Sequence, residues 1–330
     1  MNLSTRYLGL QLANPIVVGA SPFCDNVAVA RQLQDAGAAA LVMHSLFEEQ
    51  IEAEQRALTH QVESSAESSA EATSYFPDYA EYQLSPDNYA RQLGRLKADL
   101  TIPVIASLNG ARPGGWTEYA RRLESAGADA LELNLYQLAT DRTVDGQEIE
   151  ERMRETVEAV ARSVRIPVAV KLSPFHAAPA NFVARLEAAG AAGVVLFNRF
   201  YQPDFNLEEL EVQPVLKLSD SSELLLRLRW LAIISPQTRG SLAASGGIHA
   251  AEDVIKTLLA GAHCAQVVSV VLRHGPRVIS ALLEGLRRWM EQRGYEDVGQ
   301  LRGALNLSRC PDPAAHERAN YIRILQSWRV

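Results

Sequence analysis

Cysteine is scarce. Cys24, Cys264 and Cys310 are the three in 330 residues, an odd number spread too far apart for a disulfide framework or a C-x-x-C zinc or iron–sulfur knuckle. No metal ligand set is predicted, and redox chemistry would have to come from an organic cofactor. An excess of basic charge is also missing. The 32 Lys and Arg stand among 39 Asp and Glu, a net charge of −7, which leaves no basic face for nucleic acid or anionic lipid. No apolar run reaches the ~18 residues of a membrane span. Met1-Asn2-Leu3-Ser4-Thr5-Arg6 lacks the charged-then-apolar layout of a secretory leader, so the expected compartment is the cytoplasm. G-x-G-x-x-G and G-x-x-x-x-G-K-[ST] are absent as well, and with them the usual cradles of NAD and ATP.

What is present is a core and a repeat. With 47% hydrophobic residues the chain can bury one large core. One phrase occurs four times: a helix ends in Ala-Gly-Ala and an apolar strand follows. Ala36-Gly37-Ala38 precedes Ala40-Leu41-Val42-Met43, and Ala126-Gly127-Ala128 precedes Leu131-Glu132-Leu133-Asn134. Ala189-Gly190-Ala191 precedes Val194-Val195-Leu196-Phe197, and Ala260-Gly261-Ala262 precedes Ala265-Gln266-Val267-Val268. Each glycine fits the position just past a helix end. Pro15 to Gly19, Ile102 to Ala106, Ile166 to Val170 and Ser241 to Ser245 bring the strands to eight. Continuous apolar strands alternating with helices predict a parallel sheet covered on its outer face. Eight regular units favour closure into a (β/α)₈ TIM barrel over an open doubly wound sheet.

A single domain over residues 1–330 is expected. Leu3 to Leu12, turning at Leu8-Gly9-Leu10, predicts a hairpin plugging the barrel floor. Glu48 to Leu100 reads as a long insertion after strand two, with the low-complexity run Glu63 to Glu71; on the catalytic face it is a lid candidate. The tail from Gly294, with Tyr321, Ile324 and Trp328, predicts a packed closing helix.

Chemistry in such a barrel sits at the C-terminal strand ends. These read Ala20-Ser21, His44-Ser45, Ser107-Leu108-Asn109, Asn134, Lys171-Leu172-Ser173 and Asn198-Arg199, a polar ring suited to a flat, hydrogen-bonding molecule. Ser245-Gly246-Gly247-Ile248 after strand seven runs into a helix start, where backbone N–H groups can hold a phosphate, and Ser269 after strand eight adds a hydroxyl. Lys171 is the sharpest single residue. An ammonium in a lumen needs an anion or an electron-rich ring, or else a carboxylate such as Glu132. It suits either a reduced flavin or a Schiff-base lyase.

The ordered set Leu12-Ala13-Asn14-Pro15, Gly19-Ala20-Ser21, Glu132-Leu133-Asn134-Leu135, Val170-Lys171-Leu172-Ser173-Pro174, Phe197-Asn198 and Ser245-Gly246-Gly247-Ile248 resembles the class 1 dihydroorotate dehydrogenases and the flavin domain of dihydropyrimidine dehydrogenase. The resemblance implies FMN, with Ala20, Ser21, His44, Ser45, Ser107, Asn109, Asn134 and Lys171 around the isoalloxazine and Gly246, Gly247 and Ser269 on the phosphate. It implies Asn134 and Asn198 on a bound pyrimidine, and hydride transfer between a reduced pyrimidine, dihydroorotate or a similar cyclic molecule, and flavin N5. It implies pyrimidine metabolism as the setting and a homodimer; fumarate, a quinone and a redox partner protein all stay open as electron acceptor. Three departures stand out. His44 replaces a family lysine, Lys217 to Glu223 replaces a glycine-rich loop, and Gln137 occupies the place of the catalytic base, where an amide cannot take a proton. Tyr136, His44, His176 and Cys24 are the remaining acid–base candidates. A flavin-binding relay subunit without catalysis is the alternative that the missing base raises.

Overall fold

The computed structural model describes residues 1–47, 86–110, 116–199, 202–316 and 319–327. The chain opens with a two-stranded hairpin, β1 (Thr5–Tyr7) and β2 (Leu10–Leu12). The barrel strands follow: β3 (Ile16–Ser21), β4 (Ala40–Phe47), β5 (Val104–Gly110), β6 (Ala130–Leu135), β7 (Val168–Leu172) and β8 (Gly193–Leu196). A second hairpin, β9 (Asp204–Asn206) and β10 (Glu211–Gln213), interrupts the series before β11 (Ser241–Ser245) and β12 (Cys264–Val267). The parallel strands close in the order β11-β12-β3-β4-β5-β6-β7-β8, the eight-stranded barrel expected from the repeat.

The intervening helices are α1 (Val27–Asp35), α2 (Pro86–Asp99), α3 (Trp116–Ser125), α4 (Gly146–Ser163), α5 (Pro179–Ala188), α6 (Leu224–Ile234), α7 (Ala251–Ala260), the short α8 (Ser269–His274) and α9 (Val278–Arg293). In α3, for example, Trp116, Tyr119, Ala120 and Leu123 form the apolar stripe that is buried. The four Ala-Gly-Ala glycines have φ between 100° and 115°. Any L-residue there would be strained, and the turn back toward the next strand depends on that freedom.

The first hairpin plugs the floor as predicted. Tyr7, Leu8 and Leu12 pack with Val17, Ala40, Val42, Ile105, Ala130, Ala169, Val195, Ala243 and Cys264 inside the lumen. It is pinned across the closure: Thr5 Oγ1 donates to the His263 carbonyl at 3.0 Å, and the Leu8 amide donates to Ser241 Oγ at 2.9 Å.

Two boundaries differ from the sequence reading. Pro86–Asp99, near the end of the expected 48–100 insertion, are α2 itself, burying Tyr89, Leu93 and Leu96. The adjoining low-complexity run concealed the helix's i, i+4, i+7 pattern; residues 48–85, with the lid candidate, lie outside the described residues. The tail is the second difference. Its helix Ala319–Gln326 leaves Tyr321, Ile322, Ile324 and Leu325 exposed. Trp328 lies outside the described residues.

Candidate active site

Strand alternation builds the site in layers. Ile105, Ala130 and Ala169 face the lumen low in the barrel, so two residues further on Ser107, Glu132 and Lys171 face it in turn, and two beyond those Asn109, Asn134 and Ser173. Register agrees: Asn109 pairs with Asn134, and Asn134 with Lys171. Three polar side chains thus stand on neighbouring strands, about 5 Å apart.

Lys171 also belongs to a buried charge pair. Lys171 Nζ is 3.2 Å from Glu132 Oε1, with the two side chains 8% and 1% exposed. From across the barrel Gln266 Nε2 donates to the second oxygen, Glu132 Oε2, at 2.6 Å. The carboxylate therefore fixes the lysine and is itself held from a third strand. Lys171 has three donors, so this bond leaves others for a ligand above.

Several buried acceptors lack partners among the described residues: Asn134 Oδ1, Gln137 Oε1 and Gln266 Oε1. A stranded buried acceptor costs roughly 1–3 kcal/mol. A planar heterocycle carrying N–H donors is the chemistry that would answer Asn134. On the next strands Ser45 and Ser107 join Oγ to Oγ at 2.8 Å. Tyr89 from α2 binds both neighbours, donating to the His44 carbonyl at 2.9 Å and accepting from the Ser107 amide at 2.9 Å. The register between β4 and β5 shifts between Val42 and Ser45, and it is here that this phenol enters the rim. On the strand beside β4, Ala20 and Ser21 end β3.

At the other end of the rim, Gly246 and Gly247 adopt φ of +88° and +79°. A Cβ on Gly247 would lie 2.5 Å from the Leu224 amide nitrogen, and one on Gly246 would lie 2.8 Å from the Arg227 guanidinium. Arg227 is buried beneath this turn, its Nε donating to the Ser245 carbonyl at 2.6 Å. Ser219 Oγ accepts the Gly247 amide at 3.3 Å and meets His249 Nε2 at 3.1 Å, and the Ser219 amide reaches Ser269 Oγ at 3.3 Å. Burial, followed by the charge of Arg273, holds the His249 imidazole below its ordinary range, so it acts as a neutral hydrogen-bonding group. Ser219 thus links Gly247 to Ser269 beside the turn.

The contributions of Ser219 and Arg227 were missed. Arg227, a cation in the apolar run Leu224-Leu225-Leu226-Arg227-Leu228, carried a readable signal. Ser219 carried none, because the hairpin β9–β10 that leads to it was unforeseen. Asn198 lies on the rim between β7 and β8, its amide donating to the Leu172 carbonyl at 2.7 Å.

The acid–base candidates separate. His176 lies among the outer helices: its Nδ1 is 3.1 Å from Glu150 of α4, and its ring packs on Phe182 of α5. Cys24 is a buried thiol pushed up to about 12, chiefly by burial, and it donates to the Ser21 carbonyl at 3.2 Å. The Cys24 thiol cannot take a substrate proton at neutral pH, and His176 Nδ1 is engaged by Glu150. His44 Nδ1 faces Asp25 Oδ1 at 2.8 Å and Cys24 Sγ at 3.2 Å. Tyr136 follows the Asn134-Leu135 strand end, with its amide donating to the Asn134 carbonyl at 3.0 Å.

The family model for dihydroorotate dehydrogenase matches residues 2–290. The chain belongs to the dihydroorotate dehydrogenase family. It is 31% identical over 221 residues to a protein of Aeropyrum pernix provisionally named dihydroorotate dehydrogenase A (fumarate), covering 65% of this chain and 71% of that one. It is 26% identical to the catalytic subunit of a dihydroorotate dehydrogenase B (NAD(+)) of Methanothermobacter thermautotrophicus, over 62% of this chain and 69% of the relative. It is 25% identical to the NAD-dependent dihydropyrimidine dehydrogenase subunit PreA of Escherichia coli K12, over 66% of this chain and 57% of PreA. Some family members are thus subunits of larger enzymes. Among the described residues of this member, no helix is long and apolar enough to cross a membrane.

Proposed function

We propose that this chain is an FMN-dependent oxidoreductase that passes hydride between a reduced pyrimidine, dihydroorotate or a similar cyclic CH–CH molecule, and flavin N5. The carrying observation is the co-location, on one rim, of the Lys171–Asn134–Asn109 row and the Gly246-Gly247 turn. The stranded Asn134 oxygen and a turn where a Cβ would strike backbone fit a flat heterocycle with a phosphate tail. FMN, when bound, supplies the hydride-accepting centre.

This chain's residues do the rest. Gly246, Gly247 and Ser269 hold the phosphate, and Arg227 behind the turn adds positive potential. Ala20, Ser21, Ser45, Ser107 and Asn109, on the adjacent strands β3, β4 and β5, line one side of the ring. Lys171, steadied by Glu132, presents its ammonium where negative charge develops, the kind of fixed electrostatic aid that dominates many enzyme rate enhancements. Asn134 and Asn198 orient the pyrimidine. With Gln137 in the base position, His176 and Cys24 removed, and His44 Nδ1 engaged by its neighbours, Tyr136 is the group assigned to move the proton. The Schiff-base role for Lys171 and the non-catalytic relay gain no support from the family match; borohydride trapping tests the first.

The experiment is anaerobic flavin bleaching. The purified protein is expected to be yellow, to release FMN on denaturation, and to lose its flavin colour with dihydroorotate or dihydrouracil. Tyr136→Phe is expected to keep the flavin and to slow bleaching by ~10²-fold or more, as for loss of a general acid–base group. A protein that takes up no FMN in excess overturns the reading, and flavin unreduced by either compound overturns the substrate class.

A further inference from the structure

Across the lumen from Lys171, where β3 and β4 end, three different donor side chains converge. Cys24 and Asp25 lie in a 3₁₀ turn, Pro22–Asp25, immediately after β3, and His44 stands near the end of β4. Cys24 Sγ, Asp25 Oδ1 and His44 Nδ1 all lie within 4.8 Å of one another. The individual separations are 3.2 Å for sulfur to nitrogen, 2.8 Å for nitrogen to oxygen and 3.5 Å for sulfur to oxygen. Tetrahedral zinc, with bonds of ~2.3 Å to sulfur and ~2.0–2.1 Å to nitrogen and oxygen, places such donors roughly 3.3–3.6 Å apart. The cluster needs to open by about half an ångström or less.

We propose that Cys24, Asp25 and His44 form a binding site for one divalent cation of the zinc class, with a fourth position open to water. The donor set selects the metal: thiolate and imidazole favour zinc over magnesium or calcium, and three protein ligands with an accessible face match sites that keep an open coordination position. The accessible face is present, since the Asp25 side chain is 43% and the His44 side chain 20% exposed, whereas Cys24 is buried.

The surroundings are those of an oriented ligand set. The His44 amide donates to Cys24 Sγ at 3.2 Å, a bond that stabilises a thiolate. Gln92 Nε2 donates to the Cys24 carbonyl at 2.7 Å and to the Asp25 carbonyl at 3.2 Å, fixing the turn. The Tyr89 hydroxyl holds the His44 carbonyl, and its ring meets the imidazole edge-on at 5.2 Å. Such outer partners hold ligands in place in metal sites. Without metal, the thiol proton goes to the Ser21 carbonyl. Binding replaces it: the S–H bond breaks, the Cys24 sulfur–metal bond forms, and one proton leaves to solvent, so affinity should rise with pH.

The test uses FMN-loaded, tag-free full-length protein, stripped with a chelator and titrated with zinc chloride against a chromophoric competitor. One zinc per chain is expected, with one proton released. Zinc-edge X-ray absorption is expected to show a single sulfur among nitrogen and oxygen scatterers. Cys24→Ser and His44→Gln are each expected to weaken binding at least 100-fold, and the half-exposed Asp25→Asn about 10-fold. Melting temperature without metal, compared with the unmodified protein, identifies any variant that has merely failed to fold; Asp25→Asn keeps the test valid if the other two do. Failure of the unmodified protein to bind zinc overturns the proposal. So does undiminished binding in the folded variants, or an absorption edge without sulfur. FMN binding and flavin bleaching are read separately, so the zinc result and the oxidoreductase reading can fail independently.

Discussion

His263 precedes β12 at the barrel floor, and its Nδ1 accepts the Leu242 amide at 3.0 Å. That bond requires an unprotonated nitrogen, and burial, followed by the Arg302 charge, lowers the imidazole from 6.5 to about 4. A histidine whose folded value is depressed favours the neutral form. Its contribution to stability is complete above the ordinary value and is lost as pH falls from about 6.5 to about 4, because the unfolded chain binds the proton first. The unmodified protein is expected to lose up to roughly 3 kcal/mol through this window. His263→Asn, whose amide oxygen can accept the same bond without titrating, is expected to flatten that part of the curve. Urea melts at pH 7, 5.5 and 4.5 read the difference; parallel curves for the two proteins would exclude the role. Lys171 and Glu132 make the contrasting pair, a cation and an anion buried together, with Glu132 also held by Gln266.

Among the elements, the Gly-Gly turn after β11 is the most constrained. Gly247→Ala forces a side chain onto Leu224 backbone at a φ of +79°, a strain of about 1–3 kcal/mol. FMN affinity, followed by recovery of flavin fluorescence on dilution, is expected to fall 10-fold or more. Gly94→Ala in α2, where a Cβ meets nothing within 4 Å, is the matched control. It is expected to leave affinity unchanged and to add about 0.5–1 kcal/mol of helix stability. Unchanged affinity in Gly247→Ala would remove this turn from the phosphate site.

The same elements show what could be read from sequence. The strands and the Ala-Gly-Ala ends were legible because both are local: a continuous apolar run, and a glycine that must take positive φ. The polar strand ends followed from period-two alternation once the barrel was assumed. Contacts that needed tertiary placement were not legible. Ser219 meets Gly247 only through an unforeseen hairpin, and Gln266 reaches Glu132 across the full width of the lumen. Cys24 and His44 are twenty residues apart and look unrelated until β3 and β4 lie side by side. The α2 boundary was lost to its low-complexity neighbour, and the tail's apolar stripe suggested packing where its residues are exposed.

For the whole molecule, the β9–β10 hairpin bears on assembly. Phe205, Leu207, Leu210 and Val212 are 68%, 82%, 87% and 63% exposed, more contiguous apolar surface than a solitary chain usually shows water. The homodimer implied by the family resemblance would cover it. Sedimentation equilibrium is expected to give twice the mass of one chain. The double substitution Phe205→Asp and Leu207→Asp is expected to give the single-chain mass with FMN retained. An unmodified protein that sediments as one chain at all concentrations argues against assembly through this surface.

The floor hairpin also sets a timetable. Its anchors, Thr5 and Leu8, bind His263 and Ser241, partners 258 and 233 residues downstream. On the ribosome, this hairpin must wait, its Tyr7 and Leu12 side chains unhoused, until Ser241 and His263 have emerged. Contacts of such long sequence separation form late and slowly. Nascent chains halted short of Ser241 should therefore remain protease-sensitive at their amino end, and the cylinder should seal from its opening residues and its last strands together.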